Sequence, residues 1–484
     1  MSIKRYIATS DNTITNAFEE NLSTRATGSN MGASDILEVF SIYGQVTSSN
    51  PTKSTELSRA IIRFPISRIS SDRSAGNIPA SGSVNFVLKL YHAETNQTTP
   101  KDAVYKILPV AQSWEEGYGV DIHKYEDISS NTTGSKWNNQ GGSVISASAA
   151  RSPQYSAKLA NGDENFEIDI TSLVEEWAAG NITNNGLMVK LTSSQEGSAS
   201  ADYPIYSNPT GSTTSYYTKR IFSRTSQYFY KRPIIEAQWD NSKQDDRGSF
   251  FYSSSLASTA DNLNTIYLYN YVRGRLTNIP VVEDGNIFVS FYSGSTRNTA
   301  PSGTMLKFFN GAQYVTGGQI STGVYTASIC ITSSATKPLT KLFDVWHNGE
   351  TGSIQYWTSS IDPAHLDAAN NTETGQYVTT IENMKTQFRQ DQKHRFRVFI
   401  REKDWSPNIY NRANTKAEPH IVESGSYRVY RLADNQDVVS HGTGSIKFTK
   451  LSYDVSGSYF DLDFDLFEKN YQYAIKFAYY SSYT

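Results

Sequence analysis

The 484 residues exceed the size at which a single hydrophobic core keeps growing, so two or three domains are expected. Aromatics at 13%, with 32 Tyr against 22 Phe and 7 Trp, favour strands, and a net charge of −3 leaves no basic field to gather phosphates, which excludes nucleic acid as a partner. A mean hydropathy of −0.50, with no apolar run of about eighteen residues, excludes a helical membrane span.

The start, "MSIKRYIATSDNTITNAF", has two early positive charges and no apolar stretch behind them. It lacks the pattern of a secretory signal peptide and predicts synthesis in a cytoplasm. The single cysteine, Cys330, forms no intrachain disulfide and supplies no Cys-based metal site, which fits a reducing compartment.

From 1 to 240, short apolar runs alternate with Ser, Asn, Gly and Thr clusters: "AIIRFPI", "VNFVLKLYHA", "VYKILPV", "FEIDI", "GLMVKLTSS" and "RPIIEAQW". That spacing predicts a sandwich or barrel. In "VNFVLKLYHA", Val84, Phe86, Leu88 and Leu90 alternate with Asn85, Val87, Lys89 and Tyr91, placing one set on a buried face. Leu187, Val189 and Leu191 do the same behind Asn185-Gly186, a pair suited to positive φ. One helix is expected in "IDITSLVEEWAAG": Ser172 and Glu175 have capping-box spacing, Leu173, Val174 and Trp177 form the apolar stripe, and Gly180 closes the end.

An exposed connection is expected at "WDNSKQDDRGS", which puts a first domain at 1–240. The second, 241–370, carries "NTIYLYNYV", "NIFVSFYSG", "MLKFFNG", "VYTASICITSS" and "LFDVWHNG" as strands. The polar stretch "SSIDPAHLDAANNTETGQ" reads as a linker to a third β domain at 371–484, where Phe396, Val398 and Ile400 alternate with polar neighbours. Near its end, Leu466 stands five positions before Tyr471 and apolar alternation follows through Tyr473, Ile475 and Phe477. This stretch resembles the corner-tyrosine region of immunoglobulin-like sandwiches, where a Tyr hydroxyl ties a loop back to the backbone. The fold class expected is therefore all-β: an N-terminal sandwich with one short helix, then two further β-sandwich domains, the last Ig-like.

"LPVAQSWEEGYGVDIHKYED" is the stretch most like an active site, with Glu115, Glu116, Asp121 and Asp127 beside Trp114. A glycosidase pair needs two carboxyl groups facing one bond, about 5 to 9 Å apart. Neighbouring Glu115 and Glu116 diverge in an extended chain, so they do not serve one bond together. Asp461, Asp463 and Asp465 in "FDLDFDL" read as one solvated strand face, since calcium prefers a loop that wraps it. His92, His123, His347, His365, His394, His420 and His441 lack ligand spacing, and no nucleophile elbow, P-loop or dinucleotide fingerprint is present. No catalytic residue, metal or cofactor is expected. The remaining candidates are aromatic contact residues for a protein interface or a glycan: Trp114, Tyr118, Tyr206, Tyr216, Tyr217, Tyr228 and Tyr230.

The ordered set "DNTITNAF", "SNMGASDILEV", "LSRAIIRFPIS", "SGSVNFVLKLYHA", "LPVAQSWEEGYG", "SKWNNQGGS", "FEIDITSLVEEWAAG", "NNGLMVKLTS" and "IFSRTSQYFYKRPIIEAQW" resembles the DNRLRE-type jelly-roll modules of microbial surface proteins, over about half the chain. That resemblance implies a jelly roll without catalytic residues, in which Trp-Glu-Glu-Gly ends a strand and enters a loop. "NMGASDILEVFSIYGQ" and "GTGSIKFTKLSYDVSGSYFDLDFDLFEKNYQYAIKF" resemble virion structural proteins of marine T4-like tailed phages. The combined expectation is a non-enzymatic component of the neck, tail or head surface, made in the bacterial cytoplasm and resident in the virion. Its expected partners are other virion proteins and further copies of itself. Two alternatives remain open: a host-glycan adhesin and a polysaccharide-degrading enzyme.

Overall fold

The computed structural model describes residues 2–17, 30–43, 55–96, 98–120, 153–196, 215–282, 285–295, 300–301, 303–308, 311–332, 339–349, 354–364, 376–403, 405, 419–442 and 446–480. The chain is all-β with a few short helices and divides into two compact units, one built mainly from residues 2–240 and one mainly from 241–484.

Residues 2–240 hold β1 (Ile3–Ile7), β2 (Ser10–Thr15), β3 (Ile36–Tyr43), β4 (Thr55–Arg63), α1 (Ile66–Ser74), β5 (Asn85–Leu90), β6 (Ala103–Pro109), β7 (Tyr155–Leu159), β8 (Phe166–Asp169), α2 (Thr171–Ala178), β9 (Leu187–Leu191), α3 (Ser193–Glu196), β10 (Tyr216–Phe222) and β11 (Ile234–Gln238). They form a jelly-roll-like sandwich: one sheet runs β1-β11-β5-β8, the other β10-β3-β4-β9-β6-β7, with β2 also paired to β4. The core contains the alternating set of the sequence, Val84, Phe86, Leu88 and Leu90, together with Ile62, Tyr105, Ile107, Leu187 and Val189. Two strands are buried on both faces, because Ile61 and Met188 join a second cluster with Ile14, Val110 and Trp114.

Two helices beyond the expected one are present. β4 stops at Arg63, and Pro65 precedes α1, whose Ile66 and Ile69 are buried. "FPI" therefore opens a helix and does not continue the strand. α2 occupies the expected place, with Leu173, Val174 and Trp177 buried, but the capping box does not form. Ser172 Oγ instead meets Tyr155 Oη at 2.8 Å, and Glu175 receives both ends of the Arg73 guanidinium at 2.7 and 3.0 Å, tying α2 to α1.

Residues 241–484 hold β12 (Asn264–Tyr269), β13 (Tyr271–Val272), β14 (Arg275–Leu276), β15 (Asn286–Gly294), β16 (Val315–Ser321), β17 (Val324–Ile329), β18 (Lys341–His347), β19 (Gln355–Ile361), β20 (Tyr377–Ile381), β21 (Lys393–Glu402), β22 (Gly425–Arg431), β23 (Asp437–Val439), β24 (Ser452–Asp454), β25 (Gly457–Asp463) and β26 (Tyr473–Tyr479). A six-stranded sheet runs β12-β17-β16-β15-β18-β19 over a core of Phe291, Tyr325, Trp346 and their neighbours. Of "MLKFFNG", the described residues 305–308 form no strand; Met305 bridges Tyr292 of β15 and Leu306 N donates to Phe291 O. Ser359, Ser360 and Ile361, read as linker, close β19.

The last strands form sheets β20-β21-β25-β24 and β23-β22-β26, the A-B-E-D and C′-C-F order of an immunoglobulin-like sandwich. Tyr427 stacks on Phe460 at 4.3 Å between the two sheets. The tyrosine corner is Tyr473, whose Oη donates to the Glu468 carbonyl at 2.9 Å; Tyr471 is exposed and lies against the Arg431 guanidinium. The corner position is fixed by the start of the strand, and β26 begins at Tyr473.

The "DDRG" run is also not the exposed connection expected from its charges. Asp245 is buried, the Asp245 N–H donates to Tyr453 O, and Tyr453 Oη donates to Asp246 Oδ1 at 2.6 Å. Arg247 grips buried Asp344 with bonds of 2.7 and 2.8 Å, and Asp344 also receives Trp346 Nε1. These contacts fasten the immunoglobulin-like strands to the six-stranded sheet.

Candidate functional site

Two adjoining segments of the 2–240 sandwich form the candidate site: the Trp-Glu-Glu-Gly-Tyr-Gly loop after β6, and the turn between β10 and β11. The loop is held by its backbone shape. Gly117 has φ +77°, and a Cβ on Gly119 would stand 1.5 Å from the Asn30 carbonyl oxygen. Asn30 completes the cradle, donating from Nδ2 to Glu116 O at 2.7 Å and accepting at Oδ1 from Gly32 N and Gly119 N.

The paired glutamates separate as the sequence argument requires. Glu115 is exposed, while Glu116 turns inward and takes the Arg224 guanidinium on both oxygens, at 2.5 and 2.6 Å. Glu116 Oε1 also accepts from Asp11 N, and Asp11 Oδ2 accepts from Arg224 N at 2.6 Å. Burial pushes the Asp11 carboxyl up to about 7, helped by the Glu116 charge and opposed by the Arg224 backbone N–H and the Arg224 charge. This clasp is a saturated, inward-facing set of bonds that fixes the loop to the β10–β11 turn.

Trp114 does not face solvent. It is 2% exposed, donates from Nε1 to Asn185 O at 2.6 Å, and carries the Arg63 guanidinium at 5.0 Å from its ring centre. No face is left for a sugar ring. Tyr118, four residues on, is 71% exposed. Tyr216 packs against the core, Tyr217 is exposed, Tyr230 is buried, and Tyr206 lies outside the described residues, as do Asp121, His123 and Asp127.

Tyr228 is the centre of the exposed turn. It is 50% exposed and meets Phe222 edge-on at 5.3 Å. Lys231 Nζ lies 5.3 Å from the Phe222 ring centre and 5.6 Å from that of Tyr228, and the Arg232 guanidinium lies 5.7 Å from Phe229. The turn is rigid: Ser223 Oγ and Thr225 Oγ1 both donate to Ser34 O, and Arg232 Nε donates to Ser226 O at 2.8 Å. The sequence reading found Tyr228 but not Lys231, Arg232 or the clasp residues Asp11, Asn30 and Arg224. The adjacency "YFYKRP" held the cation signal; the clasp joins residues 213 positions apart and leaves no local mark.

Several of the other acidic and histidine candidates are held within the fold, and Asp465 lies in the 3-10 turn Phe464–Leu466, not on one strand face with Asp461 and Asp463. Asp461 bonds Arg395, Asp463 accepts from Asp465 N, and His347 Nε2 lies 2.9 Å from Ser290 Oγ. Among the described residues no group of three His, Cys, Asp or Glu could hold a metal ion, and no helix is long and apolar enough to cross a membrane. Neither a protein-family model nor a curated protein matches the chain.

Proposed function

We propose that this chain is a non-enzymatic structural component of a tailed-phage particle, placed at its neck, tail or head surface. It works by docking preformed β-sandwich faces onto other virion proteins and further copies of itself. The resemblance of both halves to surface jelly rolls and phage structural proteins supports the particle, and the Phe222–Arg232 turn carries the docking.

Tyrosine, phenylalanine and arginine on a rigid, half-exposed turn are the groups that dominate protein interfaces, because they bring large contact area at little conformational cost. A glycan platform needs an open ring face. At this turn Lys231 occupies the space over Phe222 and Tyr228, which favours a protein partner over a sugar. Exposed Tyr118 and Tyr217 are the residues on which a host-glycan reading would rest.

The test is particle composition. Peptide mapping of purified particles is expected to find the chain. A Tyr228→Ala/Lys231→Ala variant, folded by circular dichroism, is expected to lose about 30-fold or more in occupancy, the scale of a hot-spot truncation. Absence from purified particles ends the virion reading, and unchanged occupancy of the variant ends the role of the turn. A glycan array that binds wild type and loses binding in Tyr118→Ala would replace docking with adhesion.

A further inference from the structure

An open sheet edge is a template for pairing with another chain, and folded proteins blunt edges with charge, short length or cover. Among the described residues most outer strands are treated in this way. β1 carries Lys4 and Arg5, β7 carries Lys158, β8 carries Glu167 and Asp169, and β26 carries Lys476. β10 is covered by residues 91–93 through Phe222 N to Tyr91 O and Ala93 N to Arg220 O. The Thr265 N–H of β12 is capped by Asp246 Oδ2, and β24 is bridged by Gln244.

β19 is different. It is an outer strand of seven residues, Gln-Tyr-Trp-Thr-Ser-Ser-Ile, with no charge and no proline. A bulge against β18 falls at Tyr356, so the regular ladder runs from Trp357 to Ile361. Trp357 pairs with buried Trp346 and shares its face with Ile361, yet is 50% exposed. The inner apolar face of the sheet thus runs out at this strand.

We propose that β19 pairs antiparallel with β19 of a second copy of this chain about a two-fold axis at Ser359, joining the two six-stranded sheets edge to edge. The strand is complementary to itself in that register. Trp357 faces Ile361 of the other copy twice, an aromatic and β-branched pair, and Thr358 faces Ser360 twice, a hydroxyl pair; both kinds stabilise antiparallel sheets. No charge meets a like charge, and closed two-fold symmetry is the commonest form of self-association. Five paired residues a side bury less than the roughly 1,200 Å² of stable complexes, so the dimer is a weak one. This inference rests on the reading of the chain as an associating protein and names a surface apart from the Tyr228 turn.

Sedimentation velocity on the full chain tests it. Wild type is expected to dimerise at concentrations up to about 100 µM. Thr358→Lys/Ser360→Lys places lysine against lysine across the axis, and Thr358→Glu/Ser360→Glu places glutamate against glutamate; both sites are exposed, so each protein folds. Each variant alone is expected to be monomeric, and an equal mixture to form heterodimers. A monomeric wild type overturns the proposal, as does a dimer that persists in both variants or a mixture that stays monomeric. If the edge fails while the Tyr228 variant still loses particle occupancy, the association reading stands without it.

Discussion

Replacing Asp11 with Asn removes a carboxylate that the fold keeps 1% exposed, while leaving an amide oxygen to accept from the Arg224 N–H. The folded carboxyl stands at about 7 against an ordinary 3.8. Between those values the folded protein holds a proton that the unfolded chain has released. The stabilisation linked to that proton is complete below about pH 4 and is lost as the pH rises through 7. At 1.36 kcal/mol per unit, a difference of about three units corresponds to up to about 4 kcal/mol. Asp11→Asn lacks this slope, so relative to wild type it gains stability steadily from pH 4 to pH 8. Urea unfolding at several pH values, read by hydrogen exchange in peptides spanning 3–15 and 55–63, reports this sandwich alone. Parallel stability profiles for the two proteins would refute the claim that a buried, proton-retaining carboxyl sits in the clasp.

Glu236 is the opposite case. Burial alone would raise its carboxyl, but Arg5 and Lys89, at 2.8 and 2.9 Å, hold it down at about 2. Its stabilisation is present above about pH 4.5 and lost as the pH falls through 2. Glu236→Gln leaves buried cations short of an anion and is expected to destabilise the 2–240 sandwich by about 3 to 5 kcal/mol at pH 7 in urea unfolding, with the difference narrowing below pH 4. Tyr473→Phe removes one hydroxyl bond to Glu468 O and is expected to cost about 1 kcal/mol, whereas Tyr471→Phe leaves the urea midpoint unchanged. Gly119→Ala drives a Cβ into the Asn30 carbonyl, so a loss of about 2 kcal/mol or more is expected, with faster hydrogen exchange in residues 111–120; unchanged exchange would contradict the cradle.

Strand identity was legible wherever one face is buried, because alternation through Val84, Phe86, Leu88 and Leu90 is a direct image of the core. It failed where that image is missing. β16 contains Gly317-Gly318, and β19 contains the run Thr358-Ser359-Ser360, so neither shows a hydrophobic period. α1 was hidden because Pro65 follows closely on the apolar Ala60-Ile61-Ile62 and Phe64 and the helix adds only Ile66 and Ile69 to the core. Charge misled at residues 245–247: an Asp-Asp-Arg run is exposed on average, but bonds to Asp344, Tyr453 and Thr265 make its partial burial tolerable here. Trp114 misled for a related reason, since the ring that resembles a sugar platform closes the second face of β4 and β9.

The inward-facing charges of the 2–240 sandwich share one trait that bears on how it acts. Lys219, fully buried, donates to the carbonyls of Gly162 and Glu164; Glu196 holds Arg59 and Lys190; Glu116 holds Arg224. Lys219 ties residues 162–164 to β10, Glu196 ties α3 to β4 and β9, and Glu116 ties its loop to the β10–β11 turn. Groups in that state gain nothing from a substrate, but they keep the segments they hold in one conformation. A surface turn fixed in this way loses little entropy when it is covered, and that is the condition under which a small aromatic patch such as Tyr228 and Phe222 gives useful affinity. On the docking reading, the Glu116–Arg224 clasp and the exposed Tyr228 therefore belong to one device: the first fixes the turn, and the second uses it.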